Sequence, residues 1–546
     1  MRSPRDVFTF YDPATKIWRG NNTQPLYNPN QSLGAFMLAV LNRNPQQIAQ
    51  ISVDTGARIT CGEMCLRTIR VAQNLARMGY GPGNVFTMAV RNDEHAAPVL
   101  FACFALGIPV NTLDASFKRD DLSHMLSLVR SQIVFCDRDT WPEMKIALEM
   151  TKNDAVVFMV GKGGSQEGCK HVEELLTETR REDLFVPDHF EDASTRMAVI
   201  LCSSGTTGKP KGVCLSHANC IANLTNLTDT RSTDVMLCFS SLYWLSGMFF
   251  LLIGTAVGGT RIITRDVFNP ALALNIIDQF MVSVAFFPPA AALELLKHPQ
   301  AARTDFSNIR LLFSGGSAVS AELKYALDKL IPHTSSRVGY GMSEIGGIAT
   351  FSDANIYKAG CAGYLRPLIQ AKIVDLNGES LDIGQQGEIM LKPFYKFLGY
   401  YGNEAATLEM LDPEGWLHTG DIGRFDEDGL LYVVDRKKDI IKYGNYQISP
   451  SELEGAIQSI PGVLNCCVTG IPVPGNDLPA ALIVKCDEAE VDAEDVHRVM
   501  NANLGSYKQL RGGVYFTKEL PMTPSGKILR RQCREILIEH YNNSSK

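Results

Sequence analysis

The sequence lacks an apolar stretch long enough to cross a membrane. Its two clearest apolar runs, Ala97–Val110 and Met248–Gly259, contain 14 and 12 residues, whereas a membrane-spanning helix needs about 20. The segment Met1–Gly20 also lacks the apolar core of a secretory signal. We therefore predict that both runs are buried core and that the protein is intracellular.

Cysteines are thinly spread along the chain: there are 14 in 546 residues, and no two of them are spaced as Cys-x-x-Cys. This is too few for a disulfide-built scaffold, so reduced thiols are the expected form. The sequence contains neither a His-Glu-x-x-His motif nor a zinc-type Cys/His spacing. It therefore gives no support to a metallohydrolase.

Basic residues are not in excess. Lys and Arg together number 52 against 59 Asp and Glu, which gives a net charge of −7. A general nucleic-acid-binding protein should instead carry a basic footprint. Hydrophobic residues make up 45% and charged residues 20% of the chain, an ordinary globular composition that argues against global disorder, collagen or a coiled coil.

What the sequence does contain is an alternation of short apolar runs with helical patterns. Ala198–Cys202, Arg310–Phe313 and Ala371–Val374 have the composition of buried strands, and Cys61–Met78 and Ala271–Phe280 have a helical period. Alternation of this kind predicts α/β layers with mostly parallel strands.

A change of character near residue 435 predicts a domain boundary. Gly423–Val434 has the pattern of two strands joined by a turn at Asp426–Gly429, and the charged run Asp435–Asp439 follows. We predict a large domain over residues 1–435 and a small α/β domain over 436–546. The small domain carries 14 basic and 13 acidic residues, the large one 38 and 46. Basic residues at the junction suit an anion bound between the domains, and a solvated linker explains them equally well.

The most informative segment is Ser203–Gly212, with the sequence SSGTTGKPKG. It follows a predicted buried strand and precedes a helical pattern that begins at Ser216. Glycines and small hydroxyl residues allow backbone N–H groups to approach an anion, so the segment predicts a phosphate-binding loop, with an ordinary surface turn as the alternative. It is not a Walker A loop, because only two residues separate Gly205 from Gly208 and a proline follows Lys209.

The loop resembles the phosphate loop of the adenylate-forming superfamily, which includes acyl-CoA synthetases, 4-coumarate–CoA ligases, beetle luciferases and peptide-synthetase adenylation domains. Further motifs of this superfamily follow in its order. They are Tyr340-Gly341-Met342-Ser343-Glu344, Gly415-Trp416-Leu417-His418-Thr419-Gly420-Asp421, Asp435-Arg436-Lys437-Lys438 and Pro524-Ser525-Gly526-Lys527. The resemblance implies an α/β fold with a large N-terminal domain of layered sheets and helices, including a distorted barrel, and a small mobile C-terminal domain.

The resemblance also implies a two-step reaction. A carboxylate attacks the α-phosphate of ATP, which gives an acyl-adenylate and pyrophosphate, and the thiol of coenzyme A then displaces AMP. ATP, Mg²⁺, coenzyme A and a small carboxylic acid are therefore the expected ligands. Glu344 is implied to bind Mg²⁺, Ser343 to donate to the α-phosphate, and Lys527 to bridge the carboxylate and that phosphate. The loop residues implied to bind the nucleotide, chiefly its β- and γ-phosphates, are Ser203, Ser204, Gly205, Thr206, Thr207, Gly208 and Lys211.

Other residues are implied to bind the nucleoside. Asp421 would accept from both ribose hydroxyls, with Arg436 in support. Tyr340, followed by Gly341, would stack on adenine. Gly315-Gly316 would line adenine and the acyl carboxyl through its backbone, although an ordinary turn explains two glycines equally well.

The second half-reaction is implied to need rotation of the small domain about Lys438. Two features depart from the usual pattern. The segment after Lys442 continues as Tyr443-Gly444-Asn445, where relatives have Lys-Gly or Gly-Gly, so contacts with the thiol substrate can differ. Trp244 stands where plant ligases and luciferases carry His; it is either a gate to an acyl tunnel or a core aromatic residue.

The sequence therefore predicts an ATP-dependent acyl-CoA synthetase, similar to fatty acid–CoA ligases, that acts on a fatty or aryl acid. A luciferase-like monooxygenase on the same fold and a non-catalytic acyl- or nucleotide-binding protein are the alternatives. The last three residues are Ser-Ser-Lys, not the peroxisomal Ser-Lys-Leu of many relatives, so we expect either the cytosol or a peroxisome.

Overall fold

The computed structural model describes residues 9–21, 28, 30–164, 166–203, 209–224, 229–353, 357–443, 446–474, 476–486, 489–522 and 528–544. The strands in these ranges are β1 Thr9–Asp12, β2 Ile17–Gly20, β3 Ile48–Ser52, β4 Arg58–Thr60, β5 Phe86–Ala89, β6 Val110–Thr112, β7 Ile133–Asp137, β8 Val156–Val160, β9 Lys170–His171, β10 Met197–Ser203, β11 Lys211–Ser216, β12 Val235–Cys238, β13 Thr260–Ile263, β14 Val284–Phe286, β15 Leu311–Gly315, β16 Arg337–Met342, β17 Gly347–Phe351, β18 Tyr364–Leu365, β19 Ile369–Val374, β20 Gly387–Pro393, β21 Leu417–Phe425, β22 Leu431–Arg436, β23 Ile441–Tyr443, β24 Tyr446–Ile448, β25 Val463–Val473, β26 Asn476–Lys485 and β27 Gly513–Thr517.

The α-helices are α1 Leu33–Leu41, α2 Cys61–Arg77, α3 Ala96–Ala105, α4 Arg119–Leu128, α5 Trp141–Thr151, α6 His217–Asn223, α7 Leu245–Val257, α8 Pro270–Phe280, α9 Pro289–Lys297, α10 Ala321–Leu330, α11 Glu404–Met410, α12 Pro450–Gln458, α13 Ala493–Asn503 and α14 Arg530–Ser544. The predicted helices over residues 61–78 and 271–280 are confirmed as α2 and α8. Helix α2 begins where the Thr60 hydroxyl accepts from the Glu63 amide at 3.1 Å. It buries Met64, Val71 and Leu75 on one face, which is the period that the sequence shows.

Two large sheets, parallel in their central parts, form most of the N-terminal domain. One has the order β11-β10-β6-β5-β7-β8-β9 and the other β18-β17-β16-β15-β14-β12-β13-β3-β4. Their central pairs are parallel, whereas the outer pairs β10–β11, β16–β17, β17–β18 and β3–β4 are antiparallel. The predicted α/β architecture is therefore confirmed. The carboxyl ends of parallel strands in such sheets are the usual location of ligand sites.

A third sheet has the order β1-β2-β19-β20-β21-β22 and is antiparallel throughout. The prediction of a distorted barrel is wrong, because this sheet stays open between β1 and β22 in the described ranges. The Thr9 hydroxyl of β1 accepts from the Leu365 amide of β18 at 3.0 Å, and Trp18 of β2 stacks on Phe425 of β21 with centroids 4.6 Å apart. β1 has four residues and pairs with β2 at one edge of this sheet.

The smaller C-terminal domain contains the hairpin β23–β24 and the three-stranded sheet β25-β26-β27, with α12, α13 and α14 packed against them. Its core consists of two adjoining clusters, one around Ile441, Leu453 and Val468 and one around Cys467 and Leu537. The boundary predicted between residues 435 and 436 lies at the end of β22, and its position stays a prediction.

Both predicted apolar runs are buried core. All ten residues of α3 are buried, as are ten of the thirteen in α7. No helix in the part of the chain that the structure describes has the length and apolarity needed to cross a bilayer. All fourteen cysteines are free thiols, as predicted.

Candidate active site

A buried carboxylate, Asp421, lies where β16 and β21 approach each other. The Tyr340 hydroxyl donates to Asp421 Oδ2 at 2.7 Å, and Arg436 Nε lies 3.1 Å from Asp421 Oδ1. Arg436 reaches Asp421 because the two residues face each other across the β21–β22 ladder. The fold therefore brings together the three residues predicted at the ribose and adenine, and we call them the Asp421 cluster.

The Asp421 cluster is electrostatically tuned. Burial raises the pKa of the Asp421 carboxyl above its ordinary value, and the Arg436 guanidinium partly offsets this rise. Burial and the neighbouring carboxylate raise the pKa of Tyr340 well above its ordinary value, so its hydroxyl remains a donor at neutral pH. The Thr419 hydroxyl accepts from the Asp421 amide at 3.0 Å and donates to the Ile389 carbonyl at 2.7 Å, which fixes the strand that carries the carboxylate.

Glu344 is a second buried carboxylate, in the 3₁₀ turn Ser343–Ile345 directly after β16. Glu344 Oε1 accepts from the Tyr400 hydroxyl at 2.6 Å, and Lys211 Nζ lies 4.9 Å from the centroid of the Tyr400 ring. Burial and the Glu344 carboxylate raise the pKa of Tyr400. We call these three residues, two of which were predicted, the Glu344 cluster.

Helix α6 holds the turn that carries Glu344. The side-chain amides of Asn219 and Asn223 donate to the Ile345 carbonyl at 3.3 and 3.1 Å. Gly346 follows with φ of 73°, and a Cβ there would lie 2.0 Å from Asn219 Oδ1. Only glycine satisfies both conditions, so the turn is packed directly onto the helix that follows the predicted phosphate loop.

The predicted strand–loop–helix arrangement of that loop needs a correction. Between the loop and α6 lies β11, which runs back along β10 and places Lys211 opposite Ser203. β10 and β11 are therefore neighbouring antiparallel strands of one sheet, in which Val213 and Leu215 are buried. The predicted helix start at Ser216 is confirmed, because the Ser216 hydroxyl accepts a hydrogen bond from the Asn219 amide at 3.0 Å. Ser204, Gly205, Thr206, Thr207 and Gly208 lie outside the described residues.

The predicted glycine turn lies beside Tyr340. Gly315 ends β15 opposite Gly339 of β16, and a Cβ at Gly315 would lie 2.5 Å from the Gly339 carbonyl oxygen. Gly316 has φ of 89°, a conformation that favours glycine. Gly341 and Ser343 lie at the same end of β16. The predicted residues of both motifs thus share the carboxyl ends of two parallel strands.

The residues around the predicted pivot, Lys438, connect the third sheet to the small domain. Asp435 Oδ2 accepts from the Ser449 hydroxyl at 2.7 Å and from the Ser451 amide at 2.9 Å, which joins the end of β22 to the start of α12. Lys437 Nζ lies 2.8 Å from Glu388 Oε2. Lys438 itself is exposed in the turn that follows β22.

Trp244 is the N-cap residue of α7 and is half-buried. Its ring meets the Tyr243 ring edge-on at 4.6 Å, and Tyr243 in turn meets Phe117 at 5.4 Å. Both Tyr243 and Trp244 pack in the core cluster that contains Cys202, at the end of the strand leading into the phosphate loop. The contacts therefore place Trp244 near the candidate site, and its role as a gate stays a prediction.

The remaining predicted residues belong to the small domain. Lys442 is exposed on β23, and its amide donates to Asp477 Oδ2 at 3.3 Å. Gly444 and Lys527 lie outside the described residues. Met522 and Ile528, which flank the predicted lysine motif, form an antiparallel bridge.

Three residues of the site were missed by sequence reasoning: Tyr400, Asn219 and Asn223. Tyr400 contacts a residue 56 positions away, and Asn223 one 122 positions away. Only the pair Gly399-Tyr400 gives a local signal, because glycine beside an aromatic residue suggests a close backbone approach. The asparagines look like ordinary polar residues of a short helix until their partners are known.

Glu344 fits the Mg²⁺ role predicted for it. Mg²⁺ in nucleotide enzymes is commonly bound by one or two carboxylates together with substrate phosphates. Tyr400 engages Glu344 Oε1, and within the described ranges no hydrogen bond or ion pair engages Oε2. Those ranges contain no group of three or more His, Cys, Asp or Glu residues that could hold a metal alone. The donor set therefore suits an ion completed by the nucleotide.

Comparison with known proteins places the chain in a family. The model of the AMP-binding enzyme family matches residues 38–401, and that of the AMP-binding enzyme C-terminal domain matches residues 452–527. The chain is 30% identical over 491 residues to 4-coumarate–CoA ligase of Pinus taeda, covering 87% of this chain and 89% of the relative. It is 29% identical over 496 residues to luciferin 4-monooxygenase of Luciola mingrelica, covering 88% and 90%.

Solved structures share the fold. The anthranilate CoA ligase AuaEII in complex with anthranoyl-AMP matches with a TM-score of 0.86 at 21% identity, over 95% of this chain and 99% of that one. A benzoate CoA ligase from Burkholderia xenovorans LB400 matches with a TM-score of 0.82 at 21% identity, over 92% and 99%. Because the first family model alone spans more than half of the sequence, the chain belongs to the AMP-binding enzyme family of the adenylate-forming superfamily.

Proposed function

We propose that this protein is an AMP-forming acid–CoA ligase, which converts a carboxylic acid to an acyl-adenylate with ATP and then to an acyl-CoA thioester. The observation that carries the proposal is the placement of two buried carboxylates along one segment, β16 and its following turn. Asp421 accepts from Tyr340 of the strand, and Glu344 lies in the turn four residues further along the chain. A nucleotide bound along this segment would meet Asp421 with its ribose and Glu344 with its phosphates. Relatives that are named CoA ligases support the reaction type.

The Asp421 cluster would bind the nucleoside. Asp421 Oδ2 accepts a hydrogen bond from the Tyr340 hydroxyl, and Oδ1 forms an ion pair with Arg436. Both carboxylate oxygens retain further acceptor capacity for a ribose hydroxyl. Tyr340 is held by its hydroxyl and is only partly buried, and its ring would stack on adenine. The backbone at Gly315-Gly316 would approach the same nucleoside and the acyl carboxylate.

The Glu344 cluster would bind the phosphates. A carboxylate that approaches a phosphate at about 4 Å is repelled by roughly 4 kcal/mol at an effective dielectric of 20, so cations must offset the charge. Lys211 would supply one positive charge, with Lys527 at the reacting carboxylate, and Ser203 and Ser343 would donate hydrogen bonds. Mg²⁺, held by Glu344 and the nucleotide, would neutralise phosphate charge when bound.

The decisive experiment separates the two half-reactions. Lys527→Ala should reduce ATP–pyrophosphate exchange by about a hundredfold to a thousandfold, the usual loss for one preorganised donor, yet still convert supplied acyl-adenylate and CoA to thioester. Lys438→Pro should keep exchange and lose thioester formation, because proline fixes φ near about −65° and stiffens the pivot. If both variants lose the same half-reaction, the two-step mechanism with a rotating small domain is wrong.

For the acid, we propose an aryl carboxylic acid, one of the two classes, fatty or aryl, that the sequence left open. The relatives' names support the aryl class. The substrate class is tested by measuring the release of AMP in the presence of CoA and each member of a panel of coumarate-type, benzoate-type and saturated fatty acids. A preference for long saturated chains would reverse the proposal.

A luciferase-like oxidation is the second candidate, because luciferin 4-monooxygenase is a relative of similar identity. It would use the same adenylation residues. Light emission with luciferin, ATP and oxygen would support this oxidation. Thioester formation without light would support the ligase activity instead. A protein that only binds acyl groups or nucleotides would show no pyrophosphate exchange with any acid.

For the compartment, we propose the cytosol or a peroxisome. The fourteen free thiols, most of them buried, support a reducing environment. Imaging of the tagged chain beside a peroxisomal marker distinguishes the two.

A further inference from the structure

Tyr400 lies between the exit of the phosphate loop and the predicted metal ligand. The segment around it runs along β11: Tyr400 forms a bridge with Val213, the Cys214 amide donates to the Gly399 carbonyl at 3.0 Å, and the Tyr401 amide donates to the Gly212 carbonyl at 2.7 Å. The backbone of residues 399–401 is therefore held against residues 212–214, which directly follow Lys211 in the chain.

The side chain of Tyr400 uses its two ends differently. Its hydroxyl donates to Glu344 Oε1 at 2.6 Å, and its ring lies 4.9 Å from Lys211 Nζ. Packing alone does not require the hydroxyl, because the edge-on contact of the ring with Phe397 at 5.3 Å would suit phenylalanine equally well. A hydroxyl buried against a carboxylate has to gain a strong hydrogen bond to offset its desolvation.

We propose that Tyr400 is a positioning residue that keeps Glu344 and Lys211 apart and aims both at the triphosphate end of the nucleotide; this rests on the proposed function. Lys211 and Glu344 make no ion pair with each other where the structure describes them, although both contact the same tyrosine. The hydroxyl occupies one carboxylate oxygen and leaves the other for Mg²⁺. The face of the Tyr400 ring stabilises the Lys211 ammonium by a cation–π contact. A phosphate can therefore bind Lys211 without first breaking an ion pair between Lys211 and Glu344.

The test compares ligands that need different parts of the Glu344 cluster. Binding of MgATP, metal-free ATP and AMP to the full chain is measured by titration calorimetry for wild type and Tyr400→Phe, which keeps the ring and removes the hydroxyl. MgATP affinity should fall by about tenfold, the effect of one lost hydrogen bond to a charged group. Affinities for metal-free ATP and AMP should stay at wild-type values.

Tyr401→Phe is the matched control, because it removes the neighbouring hydroxyl from the same segment and should change none of the three affinities. In a Glu344→Gln background, Tyr400→Phe should cause no further loss of MgATP affinity, since both changes act on the same contact between Tyr400 and Glu344. Unchanged MgATP affinity in folded Tyr400→Phe, or an equal loss for AMP, would overturn the proposal. Wild type that binds no nucleotide would instead overturn the proposed function.

Discussion

The Asp421 cluster and the Glu344 cluster contain the same kinds of chemical group in different arrangements. Each has a buried carboxylate that accepts from a tyrosine hydroxyl, at 2.7 and 2.6 Å, and each has one cation. In the Asp421 cluster the cation pairs directly with the carboxylate, whereas in the Glu344 cluster it lies over the tyrosine ring. The first arrangement neutralises its own charge and suits neutral hydroxyls. The second keeps both charges available, as phosphates and a metal ion require.

The largest expected effect comes from neutralising Glu344. Glu344→Gln should lower the rate of ATP–pyrophosphate exchange by about a hundredfold to a thousandfold, because a preorganised electrostatic group is lost. AMP affinity, which depends on the Asp421 cluster, should change little. Exchange of labelled pyrophosphate into ATP and titration with AMP, on one preparation, measure the two quantities. Equal losses in both would remove the distinction between the clusters.

Asp421→Ala should give the complementary result. Loss of a charged acceptor for the ribose costs about 1.5–3 kcal/mol, so AMP and ATP should both bind roughly tenfold or more weakly. The Mg²⁺ concentration at half-maximal activity should stay the same. A folded variant with unchanged AMP affinity would remove Asp421 from the nucleotide site.

Arg436→Ala should have a smaller effect than Asp421→Ala. The arginine side chain is 51% exposed, and ion pairs of exposed groups contribute little because solvent screens them. We expect the KM for ATP to rise by a few-fold, less at high salt, since screening already weakens the pair. A loss as large as that of Asp421→Ala would mean that Arg436 contacts the nucleotide itself.

The smallest effect concerns stability. Because burial raises the pKa of Asp421, the folded state holds this proton more tightly than the unfolded chain. Stability therefore falls as the pH rises from the unfolded to the folded pKa, and the full cost remains above the folded pKa. Asp421→Asn removes that cost and should raise the melting temperature slightly at about pH 7.5, and less at about pH 4.5. A larger gain at the lower pH would contradict this sign.

Local sequence patterns were sufficient to predict several helices and strands and to identify the residues of the motifs. Helix α2, helix α8 and the pair β21–β22 follow from periodicity and turn chemistry, and Tyr340, Glu344 and Asp421 follow from motifs of recognisable order. The strand β11 was missed because six residues between a glycine-rich loop and a helix cap give little periodic signal. Closure of a sheet is likewise a property of three-dimensional packing, so the open edge at β1 could not be read from the sequence.

The parts of the site that were not predicted act over long separations. Asn219 and Tyr400 support Glu344 from elements far along the chain, and nothing local marks them as partners. A motif identifies the groups that touch a ligand, whereas the residues that orient those groups are fixed by packing. Only the structure connects the two sets.

The contacts of Asp435 bear on when the small domain turns. A rotation about Lys438 would carry Ser449 and Ser451 away from a buried carboxylate that remains with the third sheet. Hydrogen bonds to charged groups are worth about 1.5–3 kcal/mol each, and about 1.4 kcal/mol changes a population ratio tenfold. By themselves, these two contacts would therefore favour the arrangement described above over the rotated one when no ligand is bound. Departing pyrophosphate or arriving CoA would have to supply the difference through unequal affinity for the two arrangements, so turnover would be gated by ligand exchange and not by spontaneous motion.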